Sequence, residues 1–303
     1  MPERFEPTYR WPQDYVPLDG GRVLVRPDCV AGFRELGWTS INDVMKASNV
    51  QIVRKLRARD NCTVEVRTDN GIARGYLKRH RVRSVRRWFL ESGRRRASSS
   101  PGMAEAGAVG WCQEAGVPTV SIIAAGETSG TRSWQSDSFF ISENLQGCMP
   151  ANNHWFKFEQ RHAPPDGFAS DVQTRRAVLK AVADTAKRFH AAHLSHFDFY
   201  LDHFFVTDEP EPTAFLLDLQ RVERHSHVAT RWRAFNKDLG QFLASCERYR
   251  FSEAERSEWL SNYLDIEDGD MNAVHSLRLK MATGRLQIRR FRRKFQKRGR
   301  RAA

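Results

Sequence analysis

One stretch constrains this chain more than any other. It is an amphipathic helix pattern that runs without a break into an H-x-D loop, and from there into a hairpin closed by a second aspartate. Residues 171–193 carry Val178, Val182 and Phe189 on one stripe with Leu179 and Ala186 beside it, the spacing of a helix packed on one side. His196-Phe197-Asp198-Phe199-Tyr200-Leu201-Asp202-His203 follows directly. Phe204-Phe205-Val206 and Phe215-Leu216-Leu217 are two short apolar runs flanking a Pro-containing turn, Asp208 to Pro212. Pairing of those runs brings His203 and Asp218 to the same end of a hairpin.

In isolation H-x-D says little, because a buried histidine or a turn-capping aspartate produces the same tripeptide. Its surroundings say more. An aspartate in such a loop is placed to accept a hydroxyl proton. A ligand five residues later and a second aspartate twenty residues later are placed to hold magnesium on ATP. This is the order of parts in a protein-kinase-like phosphotransferase, H-R-D-x-x-x-x-N followed by D-F-G. Two positions differ: Phe197 stands where arginine is usual, and His203 where asparagine is usual.

The N-terminal half supplies strands. Residues 1–20 look irregular, Arg22-Val23-Leu24-Val25-Arg26 alternates like a short strand, and Trp38 to Ala47 reads as a helix opened by Thr39 or Ser40. Thr63-Val64-Glu65-Val66-Arg67 and Ile72-Ala73-Arg74-Gly75-Tyr76-Leu77-Lys78 flank an Asn70-Gly71 turn, a strong hairpin signal that ends by presenting Lys78. A lysine at a strand end is ordinarily just solvated; in this layout it grips the ATP α- and β-phosphates. Ser100-Pro101 reads as N-cap and first residue of a helix ended by Gly116. Glu105 lies early in that helix, where it favours the helix dipole or pairs with the strand lysine; Glu114 competes for the second role but sits near the helix end. Two further strands cover residues 117–126 and 138–142, and Glu143-Asn144-Leu145 then stands where a hinge offers backbone groups of Glu143 and Leu145 to adenine.

Charge is uneven. Net +13 is 49 basic minus 36 acidic residues, and Arg278 to Ala303 alone holds twelve Lys/Arg and no Asp/Glu. A second run, Arg74 to Arg96, holds ten Lys/Arg against the single Glu91. Such runs attract polyanions without choosing among anionic lipid, glycolipid and nucleic acid. In the tail, Leu277, Met281, Ile288, Phe291 and Phe295 share one face. That suits a basic amphipathic helix on an anionic membrane surface, or equally a helix packed on the protein with a disordered basic end. The five cysteines are scattered with no C-x-x-C, which argues against a disulfide framework and a zinc site and for a reducing cytosol. No apolar run reaches membrane-spanning length, and the N-terminal segment has no apolar core of a secretory signal.

The combined pattern resembles the lipopolysaccharide core heptose kinase family (the Kdo/WaaP type), a branch of the protein-kinase-like fold. The matching residues include Tyr76-Leu77-Lys78-Arg79-His80, Glu105, Gly116-Val117-Pro118-Thr119 and Ser138 to Leu145. They continue with Arg188 to His193, His196 to Phe204, Leu217-Asp218-Leu219-Gln220-Arg221, Arg231-Trp232-Arg233 and Lys237-Asp238-Leu239. The D-F-Y-x-x-H-F and R-W…K-D-L runs are specific to that family, and histidine at 203 is a family trait. Phe197 departs from it, as does Gln220 in what is usually D-L-H-R.

The resemblance implies an α+β, two-lobed protein-kinase-like fold with an antiparallel-sheet N-lobe and a mainly helical C-lobe. Its expected divisions are an arm at 1–35, an N-lobe at 36–143, a C-lobe at 144–268 and a basic tail at 269–303. It implies ATP- and Mg2+-dependent phosphorylation of a sugar hydroxyl, typically a heptose of the lipopolysaccharide inner core. Asp198 would be the catalytic base, Asp218 and His203 the magnesium ligands, Lys78 the phosphate grip and Glu105 its positioner. Because magnesium prefers oxygen, His203 ligates it or else hydrogen-bonds the loop or the phosphates. Lys237-Asp238 reads as structural, a buried aspartate bracing the loop from behind. No A-P-E segment follows Asp218, so no phospho-regulation is expected. No G-x-G-x-x-G precedes the hairpin, and the candidate phosphate-covering segment, Arg54 to Asp60, relies on arginine charge. The expected setting is cytoplasmic and peripheral on the inner membrane face, with ATP and a membrane-attached glycolipid as partners rather than nucleic acid. The rivals are a small-molecule kinase of the aminoglycoside or choline type and an inert kinase-like scaffold that binds polyanions through its tail.

Overall fold

The Asn70-Gly71 turn organises the first half of the chain. Thr68 pairs with Gly71, whose φ of +133° is open to glycine, and from there ten consecutive residue pairs zip strand β4 (Arg59–Thr68) to β5 (Gly71–Val82). The computed structural model describes residues 14–56, 58–82, 100–128, 136–155 and 171–265. The chain divides into two units: Met1–Glu114 with Val120–Gln146, and Ala115–Thr119 with Gly147–Ala303.

In the first unit, β1 (Val16–Leu18), β2 (Val23–Val25), β3 (Gln51–Leu56), β4, β5, β6 (Ile122–Glu127) and β7 (Ser136–Glu143) form one antiparallel sheet in the order β1-β2-β6-β7-β5-β4-β3. Val16–Leu18, in the stretch expected to be irregular, is its edge strand. In the candidate phosphate-covering segment the β3–β4 hairpin pairs Lys55 with Asp60 and Leu56 with Arg59. One face of the sheet buries Val64, Val66, Leu77, Phe139 and Ile141 beneath Phe33 of α1 (Val30–Glu35) and Ile41 and Val44 of α2 (Ile41–Lys46). Ser40 caps α2 through a capping box with Asp43, whose carboxylate accepts the Ser40 N–H at 2.7 Å.

By strand alternation Phe140 points to the opposite face, where Lys78 is its cross-strand neighbour. That face carries α3 (Pro101–Glu114), which buries Gly102, Ala104, Ala106, Gly107, Ala108 and Gly110. Small residues let the helix approach the strands: a Cβ on Gly102 would lie 2.6 Å from the Phe139 carbonyl oxygen. The Gly102 N–H donates to the buried Ser138 hydroxyl at 3.1 Å. Gly116, at φ +65°, follows the helix end as its composition predicts.

The second unit is helical around two small sheets. β10 (Phe204–Thr207) pairs on one side with β11 (Ala214–Leu216) and on the other with β8 (Cys148–Pro150), a three-residue strand that its own sequence does not announce. β9 (Leu194–Ser195) pairs with β12 (Glu223–Arg224). The helices are α4 (Val172–Ala191), α5 (Val228–Arg248) and α6 (Glu253–Leu264). Asp171 caps α4 by accepting the N–H groups of Gln173 and Thr174. A Ser252/Glu255 capping box opens α6. Phe189, Phe199, Phe204, Phe242 and Trp259 are fully buried, with Phe242 stacked on Trp259 at 4.0 Å between ring centroids. Each such side chain contributes on the order of 2–3 kcal/mol by leaving water. Among the described residues no helix is long and apolar enough to cross a membrane. All five cysteines are free. The basic tail and its amphipathic face lie outside the described residues, as do residues 83–96 of the other basic run.

Candidate active site

Two groups of the expected residues meet, one in each unit. In the first unit Lys78 leaves the middle of β5 and its Nζ lies 2.5 Å from Glu105 Oε1 on α3. Glu105 is buried to 3% side-chain exposure and Lys78 to 17%. An ion pair this withdrawn from water holds the lysine in one direction, because moving either partner strands the other. Glu114, the competing carboxylate, has no part in it. Farther along β7, the Glu143 N–H donates to the Ser121 carbonyl at 2.8 Å, and its carboxylate accepts from Arg26 at 2.7 Å. Leu145 follows outside the strand, half-buried.

In the second unit the loop from His196 to Leu201 is held by one face of α5. Asp238, fully buried, accepts the N–H of His196 at 2.6 Å and of Phe197 at 2.9 Å. Gln241 accepts the Phe199 N–H and donates to the Phe197 carbonyl, and Ser245 accepts the Leu201 N–H. Positions 238, 241 and 245 fall on one helical face, so a single helix satisfies five backbone groups of an irregular loop. This offsets the cost of Phe197, whose φ of +61° places a bulky residue in the left-handed region.

His196 ties the loop to the strand leading to Asp218. Its Nε2 lies 2.9 Å from the Leu217 carbonyl, which only accepts, so Nε2 carries the hydrogen and Nδ1 accepts the Asp198 N–H. Burial pushes its pKa down to about 4, which keeps the ring neutral and this tautomer in place.

His203 is held in a similar way. Its Nδ1 lies 2.7 Å from the Asp198 carbonyl and must donate, which leaves Nε2 as the other ring nitrogen, 3.9 Å from Asp218 Oδ2. The hairpin sets this up: Phe204 pairs with Leu216, and the Leu217 N–H donates to the His203 carbonyl at 2.9 Å. Asp218 itself adopts φ +58°, a conformation aspartate tolerates better than most residues. An imidazole nitrogen and a carboxylate oxygen 3.9 Å apart are of the donor types that can hold a divalent cation. Among the described residues no third His, Cys, Asp or Glu joins them.

Two residues were missed as parts of the site. Arg221 Nη1 lies 2.8 Å from both carboxylate oxygens of Asp198. Lys237 Nζ sits 4.0 Å above the centre of the Phe197 ring. Burial first, then the Arg221 charge, holds its pKa below the usual lysine value. The adjacency of Arg221 to Asp218 in sequence was a signal for the first. Nothing local pointed to the second, because the ring and the lysine are forty residues apart.

The profile described as the Lipopolysaccharide kinase (Kdo/WaaP) family matches residues 43–263. The chain is similar to the lipopolysaccharide core heptose(I) kinase WaaP of Pseudomonas aeruginosa, 28% identical over 155 residues that cover 50% of this chain and 54% of the relative. With an Escherichia coli WaaP it shares 31% identity over 139 residues, 44% and 49% of the two chains. It thus spans about half the length of these relatives. The solved structure of WaaP in complex with acyl carrier protein aligns at a TM-score of 0.58 and 21% identity, over 86% of this chain and 98% of that one. At that identity the likeness concerns the fold, and it agrees with the α+β, two-lobed kinase-like architecture expected from the sequence.

Proposed function

The chain belongs to the Lipopolysaccharide kinase (Kdo/WaaP) family, and from that premise we propose that it transfers the γ-phosphoryl group of ATP to a sugar hydroxyl, with a heptose of the lipopolysaccharide inner core as acceptor. The observation that supports this best is the convergence of Asp198, His203 and Asp218 through the hairpin register and the His203–Asp198 hydrogen bond at 2.7 Å.

Asp198 orients the acceptor hydroxyl and accepts its proton as the oxygen bonds to phosphorus. Lys78, held by Glu105, grips the ATP phosphates, and the Glu143 carbonyl with the Leu145 backbone takes the adenine edge. Asp218 and His203 are the residues that would hold Mg2+, which when bound neutralises charge on the phosphates. One carboxylate and one imidazole are a small set, as suits an ion held mostly by phosphate oxygens and water. His196, Asp238, Gln241 and Ser245 fix the loop in advance, so little reorganisation remains for the reaction itself. The acceptor is membrane-attached, and the enzyme works peripherally at the inner face of the cytoplasmic membrane.

The test is transfer of labelled phosphate from ATP to purified lipopolysaccharide and, separately, to a soluble cell fraction. Transfer to the lipopolysaccharide is expected, falling about 100- to 10,000-fold in Asp198→Ala and abolished at low magnesium in Asp218→Ala. Labelling confined to the soluble fraction indicates a small-molecule kinase instead. Absence of both nucleotide binding and magnesium dependence in the wild type indicates an inert scaffold.

A further inference from the structure

Arg221 engages the Asp198 carboxylate: its Nη1 lies 2.8 Å from Oδ1 and from Oδ2, so a hydroxyl that approaches those oxygens competes with a cation already in place. A second cation is close by: Lys237, half-buried, rests on the Phe197 ring at 4.0 Å. The loop from His196 to His203 has no lysine or arginine of its own. Positive charge beside the base is therefore brought in by α5 and by the segment after Asp218. The candidate metal ligands meet Asp198 elsewhere, through its main-chain carbonyl and His203. Arg221 is thus at the carboxylate end of Asp198, and Lys237 is near enough to feel the charge of both. Each holds a seat that an incoming anion can better: a carboxylate already shared for Arg221, an aromatic face for Lys237.

We infer that Arg221 and Lys237 bind an anionic group of the acceptor, a carboxylate or a phosphate, and that its arrival draws Arg221 off Asp198 and frees the base. The inference rests on the reading of Asp198 as base and narrows the acceptor to an anionic sugar. Once freed, Asp198 takes the hydroxyl proton, the acceptor oxygen bonds to the γ-phosphorus, and the bond to the β-phosphate oxygen breaks to release ADP. Water carries no anion to displace Arg221, so ATP is not hydrolysed in the absence of acceptor. Phe197, where related loops carry arginine, supplies the seat for Lys237.

The experiment compares three acceptors: native lipopolysaccharide, the same material with carboxylates reduced to alcohols by carbodiimide and borohydride, and the same material dephosphorylated with hydrofluoric acid. For the wild type, loss of the recognised class of anion raises the acceptor KM by roughly tenfold or more, and the affected arm tells carboxylate from phosphate. Arg221→Gln loses that discrimination and raises acceptor-free ATP hydrolysis several-fold, whereas Arg221→Lys recovers part of both. Lys237→Met raises the KM for native acceptor. Arg67→Gln, at an exposed ion pair with Glu35, is the charge control, and thermal midpoints show that each variant is folded. Equal use of all three acceptors by the wild type overturns the inference, as does unchanged hydrolysis and discrimination in a folded Arg221→Gln. A wild type that neither hydrolyses nor transfers removes the kinase reading and this inference with it.

Discussion

Asp238 accepts the backbone N–H of His196 at 2.6 Å from a position with no exposure to solvent. Its other oxygen takes the Phe197 N–H at 2.9 Å. One buried carboxylate therefore sets the direction of the peptide that precedes Asp198. Asp238→Ala leaves two buried amide groups without acceptors and is expected to cost about 3–5 kcal/mol of stability. Asp238→Asn keeps the shape but turns one acceptor into a donor, and is expected to cost less in urea unfolding while still lowering kcat. Equal stability of wild type and Asp238→Ala would contradict this account of the loop.

The depressed pKa of His196 makes stability depend on pH. In the folded chain the ring stays neutral down to about 4, whereas unfolded histidine protonates near 6.5. Between these values the unfolded state binds more protons, so stability is fully present above roughly pH 6.5 and declines as pH falls toward 4. The full effect is on the order of 3 kcal/mol. Urea midpoints measured with chelator present at several pH values should show His196→Asn costing progressively less as acid is added. A pH-independent difference between the two proteins rules out the neutral, buried ring.

Lys78 and Glu105 form a pair whose halves depend on each other. Lys78→Met strands a buried carboxylate and is expected to destabilise the fold by about 3–5 kcal/mol, while Lys78→Met with Glu105→Leu recovers much of that loss. Activity does not recover in the double variant, since nothing then grips phosphate. Thermal unfolding and nucleotide binding, read on all members of the double-mutant cycle, separate the two effects.

Gly102 is needed for a packing reason alone. Its Cβ position lies 2.6 Å from the Phe139 carbonyl oxygen and 2.8 Å from the carbonyl carbon, both main-chain atoms that cannot swing aside. Alanine favours a helix interior by about 0.5–1 kcal/mol, yet Gly102→Ala is expected to lose roughly 1–3 kcal/mol by forcing α3 off the sheet. Because Glu105 rides on the same helix, the KM for ATP should rise as well. A stabilised Gly102→Ala protein would mean that the helix can retreat without cost.

The parts of the site that were legible in the sequence were those encoded by short-range pattern. Asn70-Gly71 can make few things besides a tight turn, and the hairpin it predicts forms, although its second strand runs on to Val82 and leaves Lys78 in the middle rather than at the end. Ser100-Pro101 and Gly116 bounded the helix that carries Glu105. Alternating apolar runs on either side of residues 208–212 paired as expected and brought His203 to Asp218. What failed to show was short or was held from afar. Cys148–Pro150 is a strand only because β10 offers it a ladder. The role of Gln241 and Ser245 depends on an irregular loop lying across their helix face.

The chain's own pattern thus determined the longer elements and the order in which the candidate site residues arrive. Periodicity, turn residues and caps act within a few residues of one another, and that is the range over which a sequence speaks unaided. Tertiary structure alone decided the surroundings of Asp198. The Arg221–Asp198 contact, the seat of Lys237 on Phe197, the hydrogen bonds of the His196 and His203 rings to main-chain carbonyls and the bracing by Asp238 all join residues 5 to 42 positions apart. Hydrogen-bond direction and desolvation exist only once those residues are packed together, so no local signal could announce them.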